Sequence, residues 1–254
     1  MAITRKIYRW IILIILLIIA VIFTTLLLRN TIRPGHFSSW FVTKWLRATT
    51  HLFGVNIKVY GTPLNTKTLF ISNHISWLDI LILGSLTPVH FLAKYEVKTM
   101  PVIGWLATRA GTLYIQRGNH RSASEACGEI TAALKQNHNS LVFAEGTTTD
   151  GNIKKFHSRT LQSAIDAQAM LQPVAIFYPQ PHPQTGQIEI NPVVLFTGDT
   201  SMRQSADLIF RAASIDVEVH YLQPINCIGK TREQLAQYAY REVVAAINTI
   251  KSGR

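Results

Sequence analysis

The first feature of the hydrophobic pattern is a run of 19 residues, 10–28, that contains no charged side chain. At about 1.5 Å per helical residue, this run spans roughly 28 Å, close to the hydrocarbon thickness of a bilayer. Basic residues precede it, as in a signal peptide, but the run is longer than a usual signal core and no small-x-small cleavage site follows. We therefore predict a retained anchor, a transmembrane or membrane-embedded helix within residues 1–30.

Residues 31–56 mix aromatic and basic side chains. Such a mixture suits the headgroup layer of a membrane, where a helix buries one face and keeps the other in water. We predict an interfacial amphipathic helix and a linker here, and a helix packed on the core of the following domain is the alternative. The prediction depends on Phe37, Trp40, Phe41, Lys44, Trp45, Arg47, His51 and Phe53.

Residues 57–254 alternate between short β-branched runs and segments with a helical pattern. This alternation is typical of an α/β fold with a largely parallel sheet flanked by helices, and the segment is long enough for one core. A Thr231-x-x-Gln234 spacing predicts a capping box at the start of the last helix. The predicted strands are 57–60, 68–72, 89–92, 112–115, 141–144, 174–178, 193–196 and 217–221; the predicted helices lie near 77–83, 122–135, 158–170 and after 231.

The charge balance indicates an anionic partner. Lys and Arg outnumber Asp and Glu by 25 to 14, which gives a net charge of +11 although only 15% of residues are charged. Nucleic acid and an anionic membrane surface both fit this charge. Outside the N-terminal region the basic residues are scattered, so we predict the membrane surface and no nucleic acid. Cys127 and Cys227 belong to no CxxC spacing, so neither a disulfide framework nor a zinc site is indicated.

A polar segment follows the predicted strand 68–72, and ligands gather at such strand ends in α/β sheets. His74 and Asp79 can meet there if His74 lies in the turn and Asp79 in the first turn of a helix capped by Ser76. The carboxylate then fixes the imidazole tautomer, and the other ring nitrogen can take a proton from an alcohol that attacks a carbonyl. The structural alternative is a capping box, Ser76-x-x-Asp79, without chemistry.

Two other strand ends switch from apolar to polar in the same way. Glu145, Gly146 and Thr147 follow an apolar run that ends at residue 144, and a carboxylate, a glycine and hydroxyls can bind a polyol. A capped turn is the structural alternative. Arg117 follows the predicted strand 112–115, where a guanidinium can clamp a phosphate or a carboxylate. The structural alternative for Arg117 is a surface arginine.

In their order along the chain, four segments resemble the glycerolipid acyltransferase family, which includes bacterial 1-acylglycerol-3-phosphate acyltransferases. The resemblance runs from about residue 50 to 200. The segments are Asn73-His74-x4-Asp79; Lys94-Tyr95-Glu96 with Pro101-x-x-Gly104 and Tyr114-Ile115-Gln116-Arg117; Phe143-Ala144-Glu145-Gly146-Thr147; and Leu171-Gln172-Pro173-Val174-Ala175-Ile176.

The resemblance implies an acyltransferase domain over residues 57–254. His74 and Asp79 are then the catalytic pair, and Pro173 shapes the pocket. The family uses acyl-CoA or acyl carrier protein as the donor co-substrate, with no cofactor and no metal. The residues expected to line the acceptor and reaction site are Lys94, Arg117, Glu145, Gly146 and Thr147.

The expected function is that of a lysophospholipid O-acyltransferase in phospholipid biosynthesis, with 1-acyl-sn-glycerol-3-phosphate acyltransferase placed first. One departure favours the lyso-ornithine lipid O-acyltransferase branch as the alternative, because Thr148-Thr149-Asp150-Gly151 stands where the family usually has an arginine after the threonine. A membrane-tethered lipid-binding protein is the alternative without catalysis. The expected location is the bacterial inner membrane, with the catalytic domain on the cytoplasmic side where a cytosolic donor is available.

Overall fold

The computed structural model describes residues 2–27, 37–116, 118, 120–198 and 200–253. Two short helical turns, Arg159–Leu161 and Pro192–Val194, accompany the helices and strands given next. The helices are α1 (Ala2–Leu27), α2 (Phe37–Leu52), α3 (Leu78–Leu86), α4 (Tyr95–Lys98), α5 (Ile103–Arg109), α6 (His120–Lys135), α7 (Gln162–Asp166), α8 (Met202–Arg211) and α9 (Arg232–Lys251). The strands are β1 (Val55–Tyr60), β2 (Thr68–Ser72), β3 (His90–Lys94), β4 (Leu113–Ile115), β5 (Ser140–Phe143), β6 (Met170–Phe177), β7 (Pro179–Pro181), β8 (Ile188–Ile190), β9 (Ile215–Tyr221) and β10 (Ile225–Asn226).

A mostly parallel sheet forms the centre of the molecule, in the order β1-β9-β6-β2-β5-β3-β4. The pairs β1–β9, β2–β6, β2–β5, β3–β5 and β3–β4 are parallel, whereas β9 and β10 pair with β6 antiparallel. The predicted α/β class with a largely parallel sheet is therefore confirmed. Because β2, β5, β6, β3 and β4 run in one direction, their carboxyl ends meet at the same edge of the sheet.

Each face of the sheet carries its own hydrophobic core. Strand β2 is buried on both faces, so it reads as an uninterrupted apolar run. Leu69 and Ile71 belong to the core beneath α6, α7 and α9, whereas Phe70 belongs to the core beneath α3 and α8. This burial on both sides holds the end of β2 rigidly, which matters because the polar segment begins at the next residue.

Helix α1 is the apolar N-terminal helix that the sequence predicted. Its segment Ile3–Leu26, 24 residues long, is long and apolar enough to cross a membrane by length and composition. Its first turns also contact α8: the Arg9 guanidinium donates to the carbonyls of Ile209, Phe210 and Ala212 at 2.8–3.2 Å. An arginine at the carboxyl end of a helix satisfies carbonyls that have no partner within the helix.

Helix α2 packs against α1 and α3, and Trp45 Nε1 donates to the Leu16 carbonyl at 2.7 Å. The packing of α2 on α3 corresponds to the alternative of a helix packed on the domain core. Trp40 is 54% exposed on the same helix, so contact with lipid headgroups stays a prediction.

Two sequence-based predictions of elements differ from the structure, and a third prediction is confirmed. The predicted strand 193–196 is a helical turn, because Pro192 starts it and Asn191 caps it by accepting from Val193 N. The predicted helix 158–170 ends at Asp166, since Gln168 has φ +51° and β6 begins at Met170. The predicted capping box is present, with bonds from Gln234 N to Thr231 Oγ1 and from Thr231 N to Gln234 Oε1.

Candidate active site

His74 and Asp79 lie within hydrogen-bonding distance at the end of β2. His74 Nδ1 donates to Asp79 Oδ2 at 2.8 Å, because a carboxylate oxygen can only accept. The Asp79 side chain is fully buried, whereas the His74 side chain is 15% exposed. The imidazole is also stacked on Phe143, with ring centroids 3.8 Å apart. The bond fixes the tautomer, so Nε2 carries the lone pair that can accept a proton.

The loop around Asp79 satisfies this carboxylate from several directions. Oδ2 accepts from the backbone amides of Ile75 at 2.7 Å and Ser76 at 3.0 Å. The predicted cap at Ser76 is wrong by one residue, since α3 begins at Leu78 and Trp77 holds the cap position without a side-chain bond. Asp79 itself accepts from the amides of Ile75 and Ser76, which keeps its carboxylate beside His74.

Tyr178 is a residue of the candidate site that no sequence motif indicated. Its hydroxyl donates to Asp79 Oδ1 at 2.5 Å from just beyond the end of β6. Burial, followed by the nearby Asp79 charge, raises the pKa of Tyr178 well above its ordinary value. The hydroxyl therefore stays a neutral donor. The available signal was a tyrosine at the end of an otherwise apolar predicted strand.

The Glu145 side chain is buried and accepts a hydrogen bond from the backbone of His74. It is 4% exposed, its Oε1 accepts from His74 N at 2.9 Å, and its Oε2 accepts from Lys154 N at 2.9 Å. Burial raises the pKa of Glu145, although the backbone bonds act in the opposite direction. Thr149 N donates to the His74 carbonyl at 2.8 Å, so the turn after β5 binds the backbone of His74 on both sides.

The remaining residues of this turn are partly accessible. Gly146 has φ +67°, a conformation that glycine adopts without the cost that a Cβ would add. Thr147 is partly buried beside it. Thr148, at the position where the family usually has arginine, donates its hydroxyl to the Phe196 carbonyl. The side chain at position 148 therefore ties the turn to the segment before α8.

Asn73 joins the first turn to β6. Its Nδ2 donates to the Ile176 carbonyl and its Oδ1 accepts from Ile176 N, both at 2.9 Å. A side-chain amide is the group that can satisfy one backbone donor and one backbone acceptor together. Asn73 belongs to the first motif of the sequence, but its side chain had no predicted role. These two bonds fix Asn73, the residue before His74, against strand β6.

The other predicted site residues are more dispersed. Lys94 is exposed at the carboxyl end of β3, two strands from β2, which at about 4.8 Å per strand is roughly 10 Å away. Pro173 is buried within β6 opposite Ile71, deeper in the sheet than the turns. Arg117 lies outside the described residues. The structure thus brings together His74, Asp79, Glu145, Gly146 and Thr147.

No group of three or more His, Cys, Asp or Glu residues within the described ranges could hold a metal ion. The expectation of a reaction without a metal stays a prediction.

A histidine oriented by a buried carboxylate, at the carboxyl edge of an α/β sheet, can act as a general base at a hydroxyl group. The family model described as Acyltransferase matches residues 56–177 of the chain. A lyso-ornithine lipid O-acyltransferase from Pseudomonas aeruginosa is 35% identical, over 80% of this chain and 76% of that protein. The chain belongs to the acyltransferase family, and it is an enzyme that transfers acyl groups.

Two further comparisons agree with this assignment. A 1-acyl-sn-glycerol-3-phosphate acyltransferase from Neisseria gonorrhoeae is 28% identical, over 69% of this chain and 66% of that protein. The crystal structure of a 1-acyl-sn-glycerophosphate acyltransferase from Thermotoga maritima matches the fold with a TM-score of 0.69 at 19% identity, over 98% of this chain and 95% of that one. The predicted family and the predicted class of enzyme are confirmed.

Proposed function

We propose that the chain transfers a fatty acyl group from a thioester to the free hydroxyl of a lysolipid, with His74 as the base. The hydroxyl proton moves to His74 Nε2 as the oxygen attacks the thioester carbonyl. An ester C–O bond forms, the C–S bond breaks, and the leaving thiolate takes the proton. The observation that carries the proposal is the 2.8 Å bond from His74 Nδ1 to Asp79, since it reserves Nε2 for the substrate.

The tetrahedral oxyanion of this step needs a donor or a cation. Backbone amides near His74 and the Lys94 ammonium are the candidates, because both lie at the carboxyl edge of the sheet. The donor in this proposal is acyl-CoA or acyl carrier protein, and no cofactor or metal takes part. No acyl-enzyme is required, since the base activates the acceptor directly.

Lyso-ornithine lipid is the acceptor that the observations favour. The Pseudomonas aeruginosa relative carries that name and is the more similar of the two relatives described above. Threonine at position 148 fits the same choice, because its hydroxyl binds the Phe196 carbonyl and no cation stands there for a phosphate. Lysophosphatidic acid is the second candidate, and the Neisseria gonorrhoeae relative together with the cation Lys94 supports it.

The location proposed for the enzyme is the bacterial inner membrane, with the catalytic domain facing the cytoplasm. The apolar helix α1 and the names of the relatives support membrane association. A cytosolic thioester donor requires the cytoplasmic side. The net charge of +11 would hold the domain against anionic lipids, so association with anionic vesicles should weaken as salt is added.

The test is an acyl-transfer assay with purified full-length chain, labelled acyl-CoA or acyl carrier protein, and a panel that contains both lysolipids. Ester product that depends on His74 supports the proposed reaction, and the preferred lysolipid identifies the acceptor. Thr148→Arg should raise the relative rate with lysophosphatidic acid. Binding of lysolipids without any ester product would instead support the alternative of a lipid-binding protein.

A further inference from the structure

The segment from α4 to α5 exposes an unusual number of large apolar side chains. Within α4 no residue is buried, and within α5 only Gly104 is. The segment is therefore held by few core contacts of its own. We call its exposed side chains the α4–α5 apolar patch: Tyr95, Met100, Val102, Ile103 and Trp105, which are 37–47% exposed. Contiguous apolar patches on a protein surface mark sites of interaction.

A strained turn between the two helices presents the centre of this patch. Val102 has φ +61° and ψ −58°, and Ile103 N donates to the Pro101 carbonyl at 2.6 Å. This is the rare positive-φ form of the γ-turn, and it is costly for a β-branched residue. A Cβ on Gly104 would lie 2.3 Å from the Lys98 carbonyl, so the glycine lets α5 pack tightly on α4. The turn leaves Val102 and Ile103 exposed where α5 begins.

Basic residues surround the patch. Lys94 precedes α4, Lys98 ends it, and Arg109 ends α5. The Lys98 ammonium lies 5.7 Å from the centre of the Tyr95 ring and 5.5 Å from that of Tyr114. Aromatic and apolar side chains bordered by cations match an interface of anionic headgroups over hydrocarbon.

The patch is continuous with the apolar helix α1. Helix α5 contacts α1 directly, and Ala110, the residue after α5, packs against Phe23 of α1. Beyond this contact α1 exposes a row of isoleucines, which includes Ile15, Ile18 and Ile22. A membrane that receives the exposed side of α1 would therefore lie close to the α4–α5 segment.

We propose that the α4–α5 apolar patch inserts into the membrane interface and forms a second lipid contact besides α1. Because α4 follows β3, whose end lies on the same edge of the sheet as His74, this contact would hold the mouth of the active site against the lipid surface. A lysolipid could then bring its hydroxyl to His74 without leaving the interface. The proposal concerns an interaction surface and does not depend on which lysolipid is the acceptor.

The first test places a polarity-sensitive fluorophore on a cysteine at position 103. Ile103→Cys is compared with Ile228→Cys. Position 228 is also apolar and exposed, and it lies beside β10, which pairs with the start of β6 and is therefore far from the carboxyl edge of the sheet. Burial raises the pKa of both native thiols, that of Cys227 to about 11, and the unsubstituted chain measures their background labelling. On vesicles containing anionic lipid, the fluorescence emission of the label at 103 should shift to shorter wavelength and should be quenched by nitroxide lipids. The emission of the label at 228 should show neither change.

A label at 103 that stays in water while the protein is bound to vesicles would overturn the proposal. So would a blue shift that follows protein concentration in the absence of lipid, since this would indicate contact between two copies of the chain. Neither readout requires acyl transfer, so failure of the proposed reaction and failure of the membrane contact can be distinguished.

The second test measures function with Val102→Ser/Ile103→Ser and the matched control Ile228→Ser. The double variant should lose about tenfold in rate on vesicle-borne lysolipid, because two apolar side chains no longer enter the interface. Its rate on a short-chain lysolipid dissolved in detergent micelles should stay within about twofold of the unsubstituted chain. Equal losses in both assays, or an unchanged rate on vesicles, would contradict the proposal.

Discussion

Two turns at the same edge of the sheet both follow buried strands, and they have different structural roles. The turn after β2 carries His74 and Asp79, whose side chains bind one another and leave the second imidazole nitrogen available to accept a proton. The turn after β5 carries Glu145, whose side chain binds two backbone amides. A carboxylate that holds a side-chain imidazole prepares it for chemistry, whereas a carboxylate that holds backbone amides fixes the shape of a loop. The partners of the carboxylate therefore distinguish the two turns.

The largest effect is expected from the first turn. His74→Ala should lower kcat by roughly two to four decades, because the base is removed. The measurement is single-turnover ester formation from a labelled thioester, with the thermal unfolding of the variant as a check on folding. His157→Ala, an exposed histidine beside the second turn, is the matched control and should stay near the unsubstituted rate. Near-normal acyl transfer by His74→Ala would show that the base is elsewhere.

A smaller effect is expected for Glu145→Gln in the second turn. The amide offers one oxygen in place of two, so one buried backbone donor loses its acceptor, which costs about 1–3 kcal/mol. We expect kcat to fall about tenfold or more through displacement of His74, with the acceptor KM unchanged. Exposed Glu129 provides the control Glu129→Gln. A raised acceptor KM at a constant kcat would mean that Glu145 binds the substrate directly, as the sequence suggested, and the comparison of the two turns would fail.

Tyr178→Phe should lower kcat by about tenfold, because a buried Asp79 oxygen loses its donor. The same variant tests the raised pKa of Tyr178. The unfolded tyrosine titrates near pH 10 and the folded one higher, so its contribution to stability is present below about pH 10 and is lost above it. The unsubstituted chain should then lose about 1.4 kcal/mol per pH unit more than Tyr178→Phe does. Urea unfolding in detergent at pH 9 and pH 11 measures this difference, and parallel curves would contradict it.

The smallest effect is expected for Thr148→Val, which keeps the shape of the side chain and removes the bond to the Phe196 carbonyl. The free energy of unfolding should fall by about 0.5–1.5 kcal/mol, the usual net contribution of one hydrogen bond. The rate with the preferred lysolipid should stay within about twofold, because the Thr148 hydroxyl bonds to the Phe196 carbonyl and not to the side chains of His74 or Asp79. Unfolding and steady-state kinetics on one preparation test both parts. A large loss of kcat without a change in stability would give this turn a chemical role.

Several parts of the fold and of the site could be read from local sequence. The strand 68–72 was predicted with the bounds that β2 has, because it is apolar on both faces and its ends are polar. The capping box at Thr231 was predicted because it needs only residues three apart. The strand predicted at 193–196 was wrong because Pro192 and Asn191 form a turn that outweighs the β-branched run.

By itself, the sequence determined the α/β class, the apolar N-terminal helix and the His74–Asp79 pair, because periodicity, composition and a five-residue separation are local properties. Only the tertiary structure decided that Tyr178, 99 residues from Asp79, donates a hydrogen bond to the Asp79 carboxylate. It also decided that Glu145, 71 residues from His74, accepts from the backbone amide of His74. These contacts exist because β5 and β6 pair with β2 on either side. Strand pairing joins residues that are distant along the chain, and no local pattern in one sequence specifies which of them will meet.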